Sequence, residues 1–439
     1  MNYSITVKEK LFSLINEMNT TPWLYTKNPE TNFTRVKKWS FGDTIKFILS
    51  MEGKSLKDEI LAFFNYNEDT PTNSSFNQRR AQIRPEAFEL LFNKFTKEFE
   101  RKEFSSNYRF VACDGSDLSI ARNPHDLSTY FPKSYNNKGF NQLQLNALYD
   151  LNTRMYVDAV IQPGREGHEN KALWQMVDRY SGPANTVIIA DRGYETYNTI
   201  AHIEQKGLFY LIRAKDIDST GILHGFRNRF EKKPIFDEWV NTILTRRGTK
   251  EVLSNPHIFH KLRNTTLFDY IEINTDNTYE LNMRVLRFPI GNGNYECIIT
   301  NLPNKDFSID NIRDLYHRRW GIETSFRELK YAIGLTNFHS KKVEYIIQEI
   351  WARLTLYNFC EIITNHIVIK KNRKNKYSYQ INYTRAIRIC CYFLSLNSKE
   401  APPDIEYLIG RELLPIRPGR KDPRKVRAKS AVSFLYRVA

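Results

Sequence analysis

The stretch from Gln142 to Tyr149, QLQLNALY, sets Leu143, Leu145, Ala147 and Tyr149 in alternation with Gln142, Gln144 and Asn146. Met155, Val157, Ala159 and Ile161 alternate again after the polar segment Asp150 to Thr153. A period of two on both sides of a turn predicts an antiparallel hairpin with one buried face. Upstream, Phe110 to Cys113 is a short apolar run, which Asp114-Gly115-Ser116 is expected to end as a turn. Downstream the period changes. Ala172, Leu173, Met176, Val177 and Tyr180 follow helical spacing, Thr186 to Ala190 (TVIIA) is a short buried strand, Thr196 to Gln205 is helical and Leu208 to Ile212 is a further strand. The order is βββαβαβ, and three opening strands followed by right-handed βα units give a mixed sheet covered by helices.

That order is found in ribonuclease H-like folds, although other α/β folds can be cut to fit it. Residues 1–105 read mostly as helices, with helical spacing in Thr44 to Met51 and Ala87 to Phe99 and a loop at Pro71 to Ser75. The first part of the α/β core spans 106–215. Residues 216–290 lose the alternation of helix and strand. Leu267 to Ile273 and Tyr279 to Phe288 read there as strands between Asn, Asp and Thr turns, which predicts a β-rich insertion. The core resumes over 291–345 with a strand at Glu296 to Thr300 and one long helix from Ile309 to about Ile333, with a kink expected at Gly321. Residues 346–439 form a helical region and a basic tail. The most apolar stretch, Tyr345 to Ile369, carries Gln348, Glu349, Arg353 and Glu361 and therefore reads as a buried helix, not a membrane span.

The 439 residues carry 65 Lys+Arg against 49 Asp+Glu, a formal charge of +16 that favours an acidic polymer as partner. A hydrophobic content of 41% excludes disorder as the main state. Five cysteines without CxxC spacing are too few to staple a chain of this length and suit a reducing cytosol. The N-terminus lacks the uninterrupted apolar core of a signal peptide, so export is not expected. His257 and His260 have no cysteine nearby, and no structural zinc site is expected. Basic residues at Lys370 to Lys376 and from Arg417 to Lys429 can track phosphates or simply form solvated segments, and Lys37, Lys38, Arg79 and Arg80 pose the same choice.

Asp114 in FVACDGS and Asp191 in VIIADRGY each sit where an apolar run ends, the place where functional side chains collect in open α/β sheets. Each can instead cap the turn that follows it. The third element is Tyr316 to Lys330, YHRRWGIETSFRELK. At about 100° per residue on a helix, Tyr316, Arg319, Glu323 and Lys330 fall on one polar stripe roughly 60° wide. Leu315, Ile322, Phe326, Leu329 and Ile333 cluster beside it as an apolar stripe fit to dock on a sheet. The polar stripe can be an ordinary solvated face. Trp320 is expected to pack inside. Three carboxylates brought together (Asp114, Asp191, Glu323) can bind two divalent ions for phosphodiester chemistry, while Arg319 and Lys330 hold phosphates nearby.

With these blocks the sequence resembles bacterial insertion-sequence transposases of the DDE class, in the subfamily with a Tyr-x2-Arg-x3-Glu-x6-Lys signature. Tyr316, Arg319, Glu323 and Lys330 complete that signature, and Asp114-Gly115-Ser116 and Asp191-Arg192-Gly193-Tyr194 match the family's other two blocks. The resemblance covers about residues 108 to 345. It implies a ribonuclease H-like catalytic domain interrupted by a β-rich insertion. It also implies cut-and-paste transposition through hairpin ends, with Asp114, Asp191 and Glu323 as ligands of two Mg²⁺ ions that Mn²⁺ can replace. Tyr316, Arg319 and Lys330 inherit contacts to the DNA near the cleaved end. Arg192 is a further candidate DNA contact, and Tyr295 is a candidate for stacking on a flipped base. The implied partners are double-stranded DNA, as terminal inverted repeats and as target, and a second copy of the chain in a synaptic homodimer. No membrane is involved, and the implied location is the bacterial cytoplasm, on the nucleoid when bound. The alternative from another class is a repurposed or inactive sequence-specific DNA-binding protein.

Overall fold

The computed structural model describes residues 2–100, 107–132, 139–230, 234–291, 293–369, 377–396 and 403–417. The basic run Lys370 to Lys376 and the tail beyond Arg417 lie outside the described residues. The N-terminal stretch folds as α1 (Tyr3–Thr20), α2 (Phe41–Ser50), α3 (Leu56–Phe63), α4 (Asn73–Arg80) and α5 (Glu86–Glu98). Side chains of Asn2, Ser40, Ser55 and Thr72 accept hydrogen bonds from the first-turn N–H groups of α1 to α4, supplying partners that a helix start lacks. The polar run after Pro71, expected as a loop, is therefore a helix start: Thr72 caps, and Asn73 to Ser75 form the first turn of α4.

The central sheet begins with β1 (Arg109–Ile120), β2 (Tyr130–Phe131), β3 (Phe140–Asp150) and β4 (Tyr156–Pro163), and continues through α6 (Glu169–Asp178), β5 (Thr186–Ala190), α7 (Tyr197–Gln205) and β6 (Phe209–Ala214). β3 lies antiparallel between β4 and β1, and β5 lies parallel between β1 and β6. The order β4-β3-β1-β5-β6 is the ribonuclease H-like arrangement. The hairpin read from QLQLNALY is β3–β4, with Leu145 opposite Ile161 and Ala147 opposite Ala159. One local expectation fails. Asp114-Gly115-Ser116 is not a turn, because β1 runs straight through it with Asp114 opposite Ala147, Gly115 opposite Asn146 and Ser116 opposite Leu145. The partner strand supplies every ladder bond, which overrides the weak strand preference of Asp, Gly and Ser.

The stretch expected as an insertion holds β7 (Phe236–Thr245), α8 (Lys250–Ser254), β8 (Phe259–Lys261) and β9 (Thr278–Gly291), and β10 (Asn294–Thr300) follows and pairs with β6. These strands extend the same sheet in the order β6-β10-β9-β7-β8, giving ten strands among the described residues. Leu267 to Ile273 is not a strand. Its apolar members Phe268 and Ile271 are buried, but the Arg246 guanidinium, donating to the carbonyl oxygens of Arg263, Thr266, Phe268 and Ile271, replaces a ladder.

The chain closes with α9 (Ile309–His317), α10 (Trp320–Tyr331), α11 (Val343–His366), β11 (Ser378–Ile381), α12 (Tyr383–Ser395), α13 (Ile405–Arg411) and β12 (Leu413–Ile416). The single helix expected from Ile309 to Ile333 is thus two. The joint falls at Arg318 and Arg319, where Arg319 N bonds to Tyr316 O, Gly321 N to Arg318 O and Ile322 N to Arg319 O in tighter i to i+3 steps. α10 buries Ile322, Phe326 and Leu329 in a core shared with Ala112, Ala147 and Tyr149 of the sheet. A Cβ at Gly321 would meet Leu151 Cδ2 at 3.0 Å, so this residue lets α10 approach the turn after β3 closely. α11 is buried almost throughout, with α1, α2, α5, α12 and β4 packed around it. Its polar residues are paired: Gln348 accepts from Arg80 Nε at 2.8 Å, Glu349 pairs with Arg80 at 2.9 Å, and Glu361 pairs with Arg154 at 3.0 Å. Among the described residues no helix is long and apolar enough to cross a membrane.

Candidate active site

Three distant parts of the chain meet where the pairing of the interior strands β1 and β5 ends. Asp114 projects from the middle of β1 and is three-quarters buried. One of its oxygens accepts from Gly115 N at 2.9 Å, and the other lies 3.7 Å from Arg319 Nη1. Burial pushes the Asp114 carboxyl up. The Gly115 N–H and Arg319 oppose this, Asp191 and Glu323 add to it, and the net result is about 6. Asp191 follows β5 and caps the short turn Arg192–Tyr194, its Oδ1 accepting from Gly193 N at 2.8 Å. The capping reading of Asp191 therefore holds, without using all of its lone pairs. Glu323 stands in the first turn of α10, 2.8 Å from Arg319 Nη2.

The Arg319 guanidinium consequently lies between Asp114 and Glu323 while its side chain is 8% exposed. Its second flank is aromatic, with the rings of Tyr316 and Trp320 centred 5.8 and 5.7 Å from Cζ. Tyr316 is buried at the end of α9. Trp320, expected to pack inside, is 49% exposed and stands at the mouth of this group. Its place explains the exposure: Trp320 opens α10 and is not among the residues of the apolar stripe that docks on the sheet. Lys330, one end of the expected polar stripe, donates from Nζ to the Asp117 carbonyl oxygen at 2.8 Å and so reaches β1. Arg192 is exposed. Tyr295 is not part of the group. It stands on β10 opposite Pro289, and the Arg287 guanidinium, itself paired with Asp216, covers its ring at 3.9 Å.

A further carboxylate beside this group, Glu169, was not read from the sequence. It opens α6 and accepts from Gln144 Nε2 at 3.0 Å. Burial, then the charges of Asp191 and Asp117, raise its carboxyl above the ordinary range. An acid in the first turn of a helix ordinarily answers the helix dipole, and that commonplace reading hides it. Among the described residues no three His, Cys, Asp or Glu side chains are gathered tightly enough to hold a metal ion as they stand. The donor set nevertheless fits a hard divalent cation, since it consists of carboxylate oxygens crowded in partial burial with one cation, Arg319, already drawn between two of them.

Carboxylates gathered on a mixed sheet of this strand order are of the kind that supports metal-dependent phosphodiester chemistry. The comparisons with known proteins narrow it. Residues 105–359 match the family described as Transposase DDE domain, and the chain belongs to that family of DNA transposases, which cut and join DNA with divalent metal ions. It is 20% identical over 340 residues to the transposase for insertion sequence element IS231E of Bacillus thuringiensis subsp. finitimus, covering 67% of this chain and 69% of that one. It is 19% identical over 338 residues to the IS231F transposase of Bacillus thuringiensis subsp. israelensis, covering 70% and 69%. Among solved structures, a piggyBac transposase synaptic complex with hairpin DNA is similar at a TM-score of 0.49 and 10% identity, covering 94% of this chain and 87% of that one.

Proposed function

We propose that this transposase binds the terminal inverted repeats of its own element, frees 3′-hydroxyls at the ends, passes through hairpin intermediates and joins the ends to target DNA, using Asp114, Asp191 and Glu323 as its acidic triad. The observation that supports this most directly is that Asp114, from a strand, and Glu323, from a helix, share the Arg319 guanidinium, while the charge of Asp191, from a post-strand turn, acts on Asp114. Two Mg²⁺ ions, replaceable by Mn²⁺, would supply the activation of water or 3′-hydroxyl and the stabilisation of the leaving oxygen. The chain's own part is positional. β1 and α10 fix Asp114 and Glu323 on rigid elements, Gly193 N–H orients Asp191, and the exposed Trp320 leaves the mouth open to DNA. Arg319, Lys330 and Arg192 offer cations for the phosphates beside the scissile bond, and Tyr316 backs Arg319 from the side of α9.

In this reading residues 1–105 hold the DNA ends, 106–215 and 291–345 form the catalytic core with 216–290 as its insertion, and 346–439 serves DNA contact or dimerisation. Two copies act together, because two ends must be cut and joined in one synaptic complex. The setting is the bacterial cytoplasm, on the nucleoid when bound to DNA. Tyr295 would need to shed the Arg287 guanidinium before it could stack on a base. The test is Mg²⁺-dependent excision from a plasmid carrying the gene's flanking DNA, with Asp191→Asn as control. Hairpin-ended excision that the variant lacks is expected. End binding by the folded wild-type protein without any cutting would overturn the reading in favour of a DNA-binding protein.

A further inference from the structure

The glycines of the two aspartate blocks share a neighbour that the family signature does not contain. A Cβ placed on Gly115 would lie 2.8 Å from Glu169 Oε1 and 2.8 Å from Asn146 Oδ1. A Cβ on Gly193 would lie 3.1 Å from Asp191 Oδ1 and 3.8 Å from Glu169 Oε2. One carboxylate therefore rests against the bare backbone next to Asp114, where a side chain at Gly115 would displace it, and lies within van der Waals reach of the bare backbone at Gly193, two residues after Asp191. Asn146 adds an independent sign. It is completely buried in β3, opposite Gly115, and its amide donates to Gln162 Oε1 at 3.2 Å. Its Oδ1 has no hydrogen-bond partner among the described residues, and a buried carbonyl oxygen is rarely left so. It points to the same spot over Gly115 as Glu169.

We propose that Glu169 is a fourth acidic ligand of the metal site, holding one divalent cation with Asp114 and Asp191 while Asn146 Oδ1 orients or joins the shell. This rests on the assignment of Asp114 and Asp191 as metal ligands. Arg319 pairs with Asp114 and Glu323, which leaves the Glu169 position to take a cation before DNA arrives. Hard oxygen donors with one neutral carbonyl suit Mg²⁺ or Mn²⁺. Gly115 then matters because it admits the Glu169 carboxylate and not for any turn, since β1 makes no turn there.

The rival arrangement turns both amides over, so that Asn146 donates to Glu169 and the carboxylate is only a structural acceptor. Titration of the full-length, DNA-free protein with Mn²⁺, followed by the electron paramagnetic resonance of the free ion, separates the two. Glu169→Gln is expected to weaken Mn²⁺ binding about tenfold or more, and Glu169→Asp to restore part of it. The metal-free melting temperature of Glu169→Gln should hold or rise, since a carboxylate beside Asp191 is neutralised; a structural acceptor predicts that it falls. Unchanged Mn²⁺ binding in Glu169→Gln, with binding lost in Asp191→Asn, would overturn this inference alone. Unchanged binding in both variants, or none in the wild-type protein at millimolar Mn²⁺, would overturn it together with the assignment of the triad or with the claim that this position is open without DNA.

Discussion

Two buried groups of charges in this molecule carry carboxylates whose acidities move in opposite directions. Where the N-terminal helices meet α11, Arg80 pairs with Glu349 at 2.9 Å, both side chains 1% exposed. His339 lies 3.5 Å from Glu349 and 3.4 Å from Glu59. Burial pushes the Glu349 carboxyl up, but Arg80 and His339 more than offset it, and the group ends at about 2. On the interior strand β1, Asp114 is buried near Asp191 and Glu323 with Arg319 as partial relief, and ends at about 6. The difference lies in the neighbours and not in the depth of burial. Opposite charges close the first group into a fastening between regions of the chain. Like charges leave the second short of cations, which is the condition of a site that binds one.

The largest effect expected at the second group is functional. Asp191→Asn or Glu323→Gln should abolish DNA cleavage with end binding nearly intact, measured by strand cleavage and gel shift on the same DNA, because a metal charge is removed at constant volume. A Glu323→Gln protein with normal turnover would reject the triad. At the first group the expected effect is on folding. Glu349→Ala should cost about 3–5 kcal/mol in denaturant unfolding by leaving Arg80 buried without its partner, whereas an apolar replacement of both Arg80 and Glu349 should lose much less.

The pH dependence should have opposite signs at the two groups. Glu349 is depressed, so its contribution is complete above the ordinary Glu value of about 4.3 and is lost as pH falls toward about 2. Asp114 is raised, so in the metal-free protein its contribution is present below the ordinary Asp value of about 3.9 and is lost as pH rises through about 6. Melting curves from acid to neutral pH should therefore converge with those of Glu349→Gln at the acid end and diverge from those of Asp114→Asn across the interval up to about 6. His339 is also raised, despite burial, by Glu349 and Glu59. Its contribution is present below about 6.5 and is lost as pH rises through its higher folded value, which His339→Gln should remove. The smallest expected effect is that of Lys330→Ala, which should weaken end binding modestly and reduce the slope of affinity against salt by about one.

Much of the fold is legible in the sequence where one face of an element meets the core. The alternation in QLQLNALY yields β3, TVIIA is β5 with its bounds unchanged, and the apolar stripe Ile322, Phe326, Leu329 is the docked face of α10. Legibility fails where a segment's partner is remote. Asp114-Gly115-Ser116 has turn composition but strand structure because β3 lies beside it. Leu267 to Ile273 has strand composition but no ladder, and Arg246 takes the carbonyl oxygens of Phe268 and Ile271. In the candidate site, the spacing of Tyr316, Arg319, Glu323 and Lys330 is read directly, and Arg319 does pair with Glu323. Glu169 is not read, since an acid at a helix start carries no mark of what stands across from it.

By itself the sequence determined the order of the main strands and helices from β1 to β6, the basic charge and the three blocks that carry Asp114, Asp191 and Glu323, because periodicity and spacing are local properties of the chain. The tertiary structure alone decided that the stretch expected as an insertion extends the same sheet, that the signature helix breaks at Arg318 and Arg319, and that Arg319 stands between Asp114 and Glu323 while Glu169 rests against Gly115. Those facts depend on which distant backbone satisfies a strand edge and which charges burial brings together, and neither is encoded within the reach of a few residues.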